Sequence, residues 1–230
     1  MARNMFCPVC GAPVLGHYEA NKPVADFFCD KCKSDFELKS KESKTATIGY
    51  KIADGAYTTM IERITSFRNP HLFVMTYANW QVNNLLMIPN YFFVPDIIEK
   101  RKPLADTARR AGWTGCNIEI GNIPESGKIF IIKNGQQADK SHIIDQYQRT
   151  LSLQTSKIES RGWLLDVLKC VERISCDNFS TDDVYAFTDE LQRKYPSNSH
   201  VHDKIRQQLQ YLRDKGFIKF ISRGHYQKVK

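Results

Sequence analysis

Two Cys-x-x-Cys pairs, Cys7-Pro-Val-Cys10 and Cys29-Asp-Lys-Cys32, stand eighteen residues apart near the start of the chain. Each pair can place two thiolates on one ion through a tight turn, and four sulfurs at tetrahedral angles suit Zn2+. Four protein ligands leave no open position for water, so a zinc held this way braces the chain and does not catalyse. Any fold of this sequence must therefore draw residues 7 and 32 together. His17 lies between the pairs and is expected to stay outside the site. Of the seven cysteines, the remaining Cys116, Cys170 and Cys176 lie in or beside apolar segments and are expected to be small buried thiols.

Composition bounds the rest. A chain of 230 residues with 42% hydrophobic content is long enough for one medium core and a smaller second one, so two domains are expected. No apolar run approaches the ~20 residues needed to cross a membrane, and the opening MARNMFCPVC lacks the apolar segment of a secretory signal; a cytoplasmic chain is the expectation. The net charge of +8 points to an acidic partner, of which nucleic acid is the commonest for a folded basic protein. Nothing in the sequence calls for an obligate protein partner.

Along residues 1–158 the pattern is mixed α/β. Asp54 can cap a helix with apolar positions at Tyr57, Met60, Ile61 and Ile64. Four β-rich runs follow: LFVMTY (72–77), NLLMIP (84–89), CNIEI (116–120) and KIFIIK (128–133), punctuated by turn pairs such as Asn134-Gly135. Near-continuous apolar runs such as IFII predict strands covered on both faces. A helix from near Lys140 closes this region, and Trp80 and Trp163 sit in apolar patterns assigned to packing. Residues 159–230 change to three helices and a hairpin, the element order of a winged helix. Its helices are WLLDVLKCVERI, STDDVYAFTDELQRKY with Ser180 as N-cap, and HVHDKIRQQLQYLRDKG ended by Gly216.

The residues flanking the second cysteine pair carry chemistry. Asp26 precedes Cys29 by three residues, and Glu37 and Lys39 flank Leu38. On a strand, residues two apart share a face, so Glu37 and Lys39 project together while Leu38 packs on the other side. Asp26, ten residues, Glu37, one residue, Lys39 has the form of the PD-(D/E)XK nuclease motif, written here Val24-Ala25-Asp26 and Glu37-Leu38-Lys39. Two carboxylates can hold Mg2+ beside a scissile phosphate, while the lysine orients or activates water. The spacing alone also fits a solvated strand edge. The cysteine knuckle between the two acids favours the enzyme, because it would fix the turn that joins them.

Over nearly its whole length the sequence resembles the DpnI-type methyl-directed type II restriction endonucleases, the Dam-replacing family. The resemblance is carried by NKPVADFFCDKC, FELKSK, DGAYTTM, RKPLADTARRAGWTGCNIEI, SRGW and KIRQQLQYLRDKGFIKF. It implies an α+β chain: a PD-(D/E)XK core with a four-cysteine zinc site, then an α+β winged helix. It further implies Mg2+-dependent cleavage of both DNA strands at GATC containing N6-methyladenine. Carried over by motif, Asp26 and Glu37 are the metal-binding acids, Lys39 is the catalytic lysine and Leu38 lends its carbonyl to the Mg2+.

The Trp of RRAGWTG, Trp113, is the position the resemblance assigns to the methyladenine, with Arg109 and Arg110 beside it on the DNA. In the last helix Lys204, Arg206, Gln207, Gln210 and Arg213 are the candidates for DNA contact, and Arg223 in the following turn is a wing candidate. Family members carry a longer segment ahead of the first zinc cysteine; with six residues before Cys7 here, an N-terminal helix is expected to be absent. The competing reading is a non-catalytic methyl-DNA reader or winged-helix transcriptional regulator, which has no reason to keep Asp26, Glu37 and Lys39.

Overall fold

The computed structural model describes residues 5–19, 25–43, 47–66, 68–155 and 157–229, so Val24 of the acid motif lies outside the described residues. The chain divides into two compact units, Met1–Leu151 and Ser152–Lys230. The first runs β1 (Gly16–His17), β2 (Phe27–Phe28), β3 (Asp35–Glu42), β4 (Ile52–Ala56), α1 (Tyr57–Thr65), β5 (His71–Ala78) and β6 (Gln81–Ile88). It continues with β7 (Ile98–Lys100), β8 (Gly115–Ile118), β9 (Ile129–Lys133), β10 (Gln136–Gln137) and α2 (Lys140–Leu151).

Among the described residues of this unit, one seven-stranded sheet has the order β1-β2-β3-β5-β6-β9-β10 and a three-stranded sheet the order β4-β8-β7. Only the β3–β5 pair in the larger sheet is parallel, with Glu37 opposite Leu72 and Lys39 opposite Val74. Leu72, Phe73 and Val74 are buried in succession, which requires cover on both faces of the sheet. Phe36 stacks on Phe73 with ring centroids 4.8 Å apart, and each such buried ring is worth roughly 2–3 kcal/mol. This packing pins β3 at the residue before Glu37.

Several sequence expectations are corrected. Asp54 does not cap α1: it lies inside β4, and Ala56 takes the cap position without a side-chain hydrogen bond. Trp80 is not a core residue; it is 98% exposed. Asn79 and Trp80, at φ 49° and 64°, form the two-residue turn between β5 and β6, and an asparagine tolerates the left-handed conformation that such a turn needs. Cys176 is exposed, whereas Cys116 and Cys170 are buried as expected. The CNIEI strand stops at Ile118, and Ile120 begins a single 3-10 turn.

The second unit contains α3 (Ile158–Arg173), β11 (Asn178–Ser180), α4 (Thr181–Tyr185), α5 (Thr188–Lys194), α6 (Val201–Asp214), β12 (Ile218–Ser222) and β13 (His225–Lys228). Its strands pair antiparallel in the order β11-β13-β12. Ser180 caps α4 as expected, accepting from the Asp183 N–H at 3.2 Å while the Asp183 carboxylate accepts from the Ser180 N–H at 2.7 Å. The long helix expected from Thr181 is broken at Ala186-Phe187, where the Phe187 ring turns under the Arg173 guanidinium at 4.6 Å. Gly216, at φ 78°, ends α6 as expected. Trp163 is 2% exposed and stacks on Tyr195 at 4.0 Å.

One core residue titrates. His71 on β5 is buried, edge-on to Tyr147 of α2, and its Nδ1 accepts from the Asn90 N–H at 3.0 Å. Burial holds its imidazole down at about 4, against 6.5 for an exposed histidine. Stability from the neutral ring is full above pH 6.5 and is lost as pH falls toward 4, because the unfolded chain takes up the proton first. The loss is expected to reach about 3 kcal/mol. Urea unfolding of wild type and His71→Asn across pH 7 to 4 checks this: the difference between the two stabilities should fall by that amount over the window.

Candidate functional site

Both cysteine pairs sit on tight turns of the same build. The Gly11 N–H donates to the Cys7 carbonyl at 2.8 Å, and the Lys33 N–H donates to the Cys29 carbonyl at 2.8 Å. In each the residue after the second cysteine is left-handed, Gly11 at φ 74° and Lys33 at φ 60°. The four Sγ atoms lie within 4.8 Å of one another, with Cys7 and Cys32 at 3.7 Å and Cys10 and Cys29 at 3.6 Å. A tetrahedral zinc with bonds of ~2.3 Å sets its sulfurs ~3.8 Å apart, so the cluster fits such an ion. Burial pushes the Cys7 thiol up; at Cys32 burial acts the same way but is outweighed by hydrogen bonds with Ser34, Cys29 and Cys10, which together hold that thiol down to about 7. His17 is exposed, turned to the Tyr18 carbonyl, and outside the cluster.

The second pair closes the loop between β2 and β3. β1 packs against this hairpin with no room to spare: a Cβ on Gly16 would lie 2.4 Å from the Phe28 ring. Asp26 stands at the open end, its N–H donating to the Phe36 carbonyl at 2.9 Å. Its Oδ2 accepts the Leu38 N–H at 2.6 Å. Asp26 is thereby tied to the backbone between Glu37 and Lys39. Leu38 is only half-buried, so the core contact expected of it belongs mainly to Phe36.

Glu37 and Lys39 do project together, with Oε1 and Nζ 2.8 Å apart. Two residues absent from the sequence-based set complete the network. The Arg63 Nη2 of α1 donates to Glu37 Oε2 at 2.8 Å, and Lys39 Nζ donates to Asp54 Oδ1 at 2.6 Å. Burial disfavours the Glu37 carboxylate, but Lys39 and Arg63 outweigh it and hold the carboxyl below its ordinary range. Burial likewise opposes the Lys39 ammonium, and Asp54 and Glu37 outweigh it and raise its pKa. The signal for Asp54 lies in the run DGAYTTM, whose aspartate also fits the helix-cap pattern.

Trp113 lies on the loop between β7 and β8. The Leu104 N–H donates to the Trp113 carbonyl at 2.9 Å, and the Gly112 N–H donates to the Leu104 carbonyl at 3.1 Å. Gly112, at φ 75°, makes the bend. The indole is half-buried and lies over Gly115, where a Cβ would come within 2.9 Å of it; Arg110 covers the ring at 4.9 Å. Arg109 and Arg110 are exposed.

In the second unit the five α6 candidates do not share one face. Lys204 and Gln207 line a groove with Ser160 and Leu164 of α3. Arg206 donates to the Tyr185 hydroxyl at 3.0 Å and pairs with Asp203, while Arg213 donates to Asp214 at 2.9 Å. Gln210 is exposed between these two sides, and Arg223 is exposed in the turn joining β12 to β13.

The family model described as DpnI, Dam-replacing family, matches residues 1–156, and the model described as the Dam-replacing HTH domain matches residues 159–228. The chain belongs to the Dam-replacing family. Its fold is mixed α+β with a C-terminal helix-turn-helix domain, and membership in this family supports a methyl-dependent restriction endonuclease with DNA as partner. Among the described residues no helix is long and apolar enough to cross a membrane.

The cysteine cluster gives a direct expectation. Metal analysis of the purified protein should find about one zinc per chain, and Cys29→Ser should lose it. Removing the ion with a strong chelator is expected to lower the melting temperature by on the order of 10 °C. A protein that melts unchanged after zinc removal would contradict a bracing role.

Proposed function

We propose that this chain is a Mg2+-dependent type II restriction endonuclease that hydrolyses both strands of double-stranded DNA at GATC sites containing N6-methyladenine. Residues 1–158 are read as a PD-(D/E)XK nuclease domain with a structural zinc, and residues 159–230 as a winged-helix DNA-binding domain, acting in the cytoplasm. The observation that carries the reading is the hydrogen bond from the Leu38 N–H to Asp26, which brings the second acid to the strand bearing Glu37 and Lys39.

Asp26, Glu37 and the Leu38 carbonyl are the oxygen donors assigned to Mg2+, and hard oxygen ligands of this type are the ones it prefers. The charge balance supports the fit: Asp26, Glu37 and Asp54 are three negative groups facing two positive ones, Lys39 and Arg63. When bound, Mg2+ stabilises the extra negative charge that gathers on a phosphate during in-line attack. Lys39, an ammonium between two carboxylates, serves to orient the attacking water and the phosphate. A cleft of about 820 Å³ runs beside it, lined by Lys39, Lys41 and Lys51 and suited to a sugar-phosphate backbone.

Methyl recognition is assigned to two readers, one in each domain. Trp113 offers an indole to the added methyl group, and Arg110, now stacked on that ring, is the group a base would meet first. In the winged helix, α6 is assigned to the major groove, where the N6-methyl is displayed, and Arg223 to the wing. Gln210, exposed on α6, is the α6 residue assigned to a base edge, since Arg206 and Arg213 pair with carboxylates and Lys204 and Gln207 line the groove with α3.

The test is to incubate the protein with Mg2+ and one plasmid prepared with and without adenine methylation at GATC. Cleavage of the methylated preparation alone is expected. Binding without cleavage would favour the non-catalytic reader or transcriptional regulator, and cutting of both preparations would end the methyl-directed claim. Lys39→Ala should lower the cleavage rate by about 10²-fold or more while leaving DNA binding in place.

A further inference from the structure

Asp54 lies outside the Asp26, Glu37 and Lys39 set, yet its side chain is only 5% exposed. Burying a carboxylate is costly unless it is paired, so a strand that aims one inward must gain something from the placement. Oδ1 accepts from the Lys39 ammonium at 2.6 Å and from the Gly55 N–H at 2.7 Å; Oδ2 is buried and has no hydrogen-bond partner among the described residues.

The backbone is shaped for this contact. Asp54 pairs with Cys116 across the β4–β8 ladder, and the register then shifts before Ala56 meets Gly115, leaving Gly55 as the extra residue of a bulge. A bulge of this kind re-aims a neighbouring side chain, and here it also turns the Gly55 N–H onto Asp54. The Cys116 thiol, 3.5 Å from the Gly55 carbonyl, backs the same bulge.

Glu37 cannot hold Lys39 alone. Its second oxygen is taken by Arg63, and in the nuclease reading its carboxylate must also serve a divalent cation. We propose that Asp54 is a positioning residue of the cleavage site, anchoring Lys39 Nζ from β4 so that the ammonium stays aimed while Glu37 engages the metal. This rests on the nuclease reading of Lys39 and adds to it a residue from the other sheet. Asp54 need not touch DNA or metal to act; it acts through the lysine.

The experiment compares wild type, Asp54→Asn, Lys39→Met and the double variant on adenine-methylated plasmid with Mg2+, under multiple-turnover and enzyme-excess conditions. Asparagine keeps the shape and an acceptor for the Gly55 N–H but removes the charge. Asp54→Asn is expected to lower kcat by about 10²-fold, the usual cost of a misplaced catalytic group, with KM for DNA and zinc content unchanged. Adding it to Lys39→Met should change the residual rate by less than about twofold, because the two residues act as one unit.

Wild-type turnover in Asp54→Asn would overturn the proposal. Loss of zinc or of DNA affinity in that variant would also overturn it, by making the role structural. Multiplying losses in the double variant would do so too, by showing that Asp54 acts independently of the lysine. A wild-type protein that cuts no methylated plasmid would bring down the nuclease reading as well, an outcome distinct from all three.

Discussion

Four sulfur atoms within 4.8 Å of one another are a poor arrangement for thiols left to themselves and a good one for a single divalent cation. The loop between Asp26 and Glu37 carries two of those sulfurs. The second cysteine pair closes the loop from β2 to β3, and the acids stand on the two arms of the closed hairpin. A two-residue strand such as β2 has too few ladder bonds to fix its own register. A metal ion held by the four sulfurs would cross-link the loop, and Phe36 buried against Phe73 fixes the far side.

Charge is arranged around this hairpin in a layered way. Asp26 spends one oxygen on a backbone N–H, Glu37 is shared by Lys39 and Arg63, and Asp54 takes the remaining side of Lys39. Four elements contribute to the cluster: the segment before β2, β3, β4 and α1. Removing one partner from such a group costs more than the pair is worth, because the other is left buried and charged. The same property that makes the cluster expensive makes its geometry definite.

What could be read from the sequence was local. The cysteine spacing, the Glu-Leu-Lys alternation, the Ser180 cap and the Gly216 stop each depend on neighbours a few residues away, and the structure holds all of them. The charge partners of Glu37 and Lys39 were not legible in the same way. Asp54 reaches Lys39 because β4 pairs with β8, and nothing within ten residues of Asp54 announces that pairing. Trp80 misled for the opposite reason: a large apolar side chain suggested a core position, while the backbone needed a tight turn there. The α6 candidates were all polar and exposed in pattern, but only neighbours from α3 and α4 divide them into two sides.

The β4–β8 ladder also sets an order of assembly. Residues 26 to 39 and the first cysteine pair lie within one short stretch, and contacts of that range close early on any folding route. Asp54 is placed only after its strand finds Cys116, 62 residues farther along (116 − 54). A chain emerging from the ribosome therefore has its four cysteines and β4 in hand well before β8, the strand that fixes β4 and with it the contact between Asp54 and Lys39, has been synthesised.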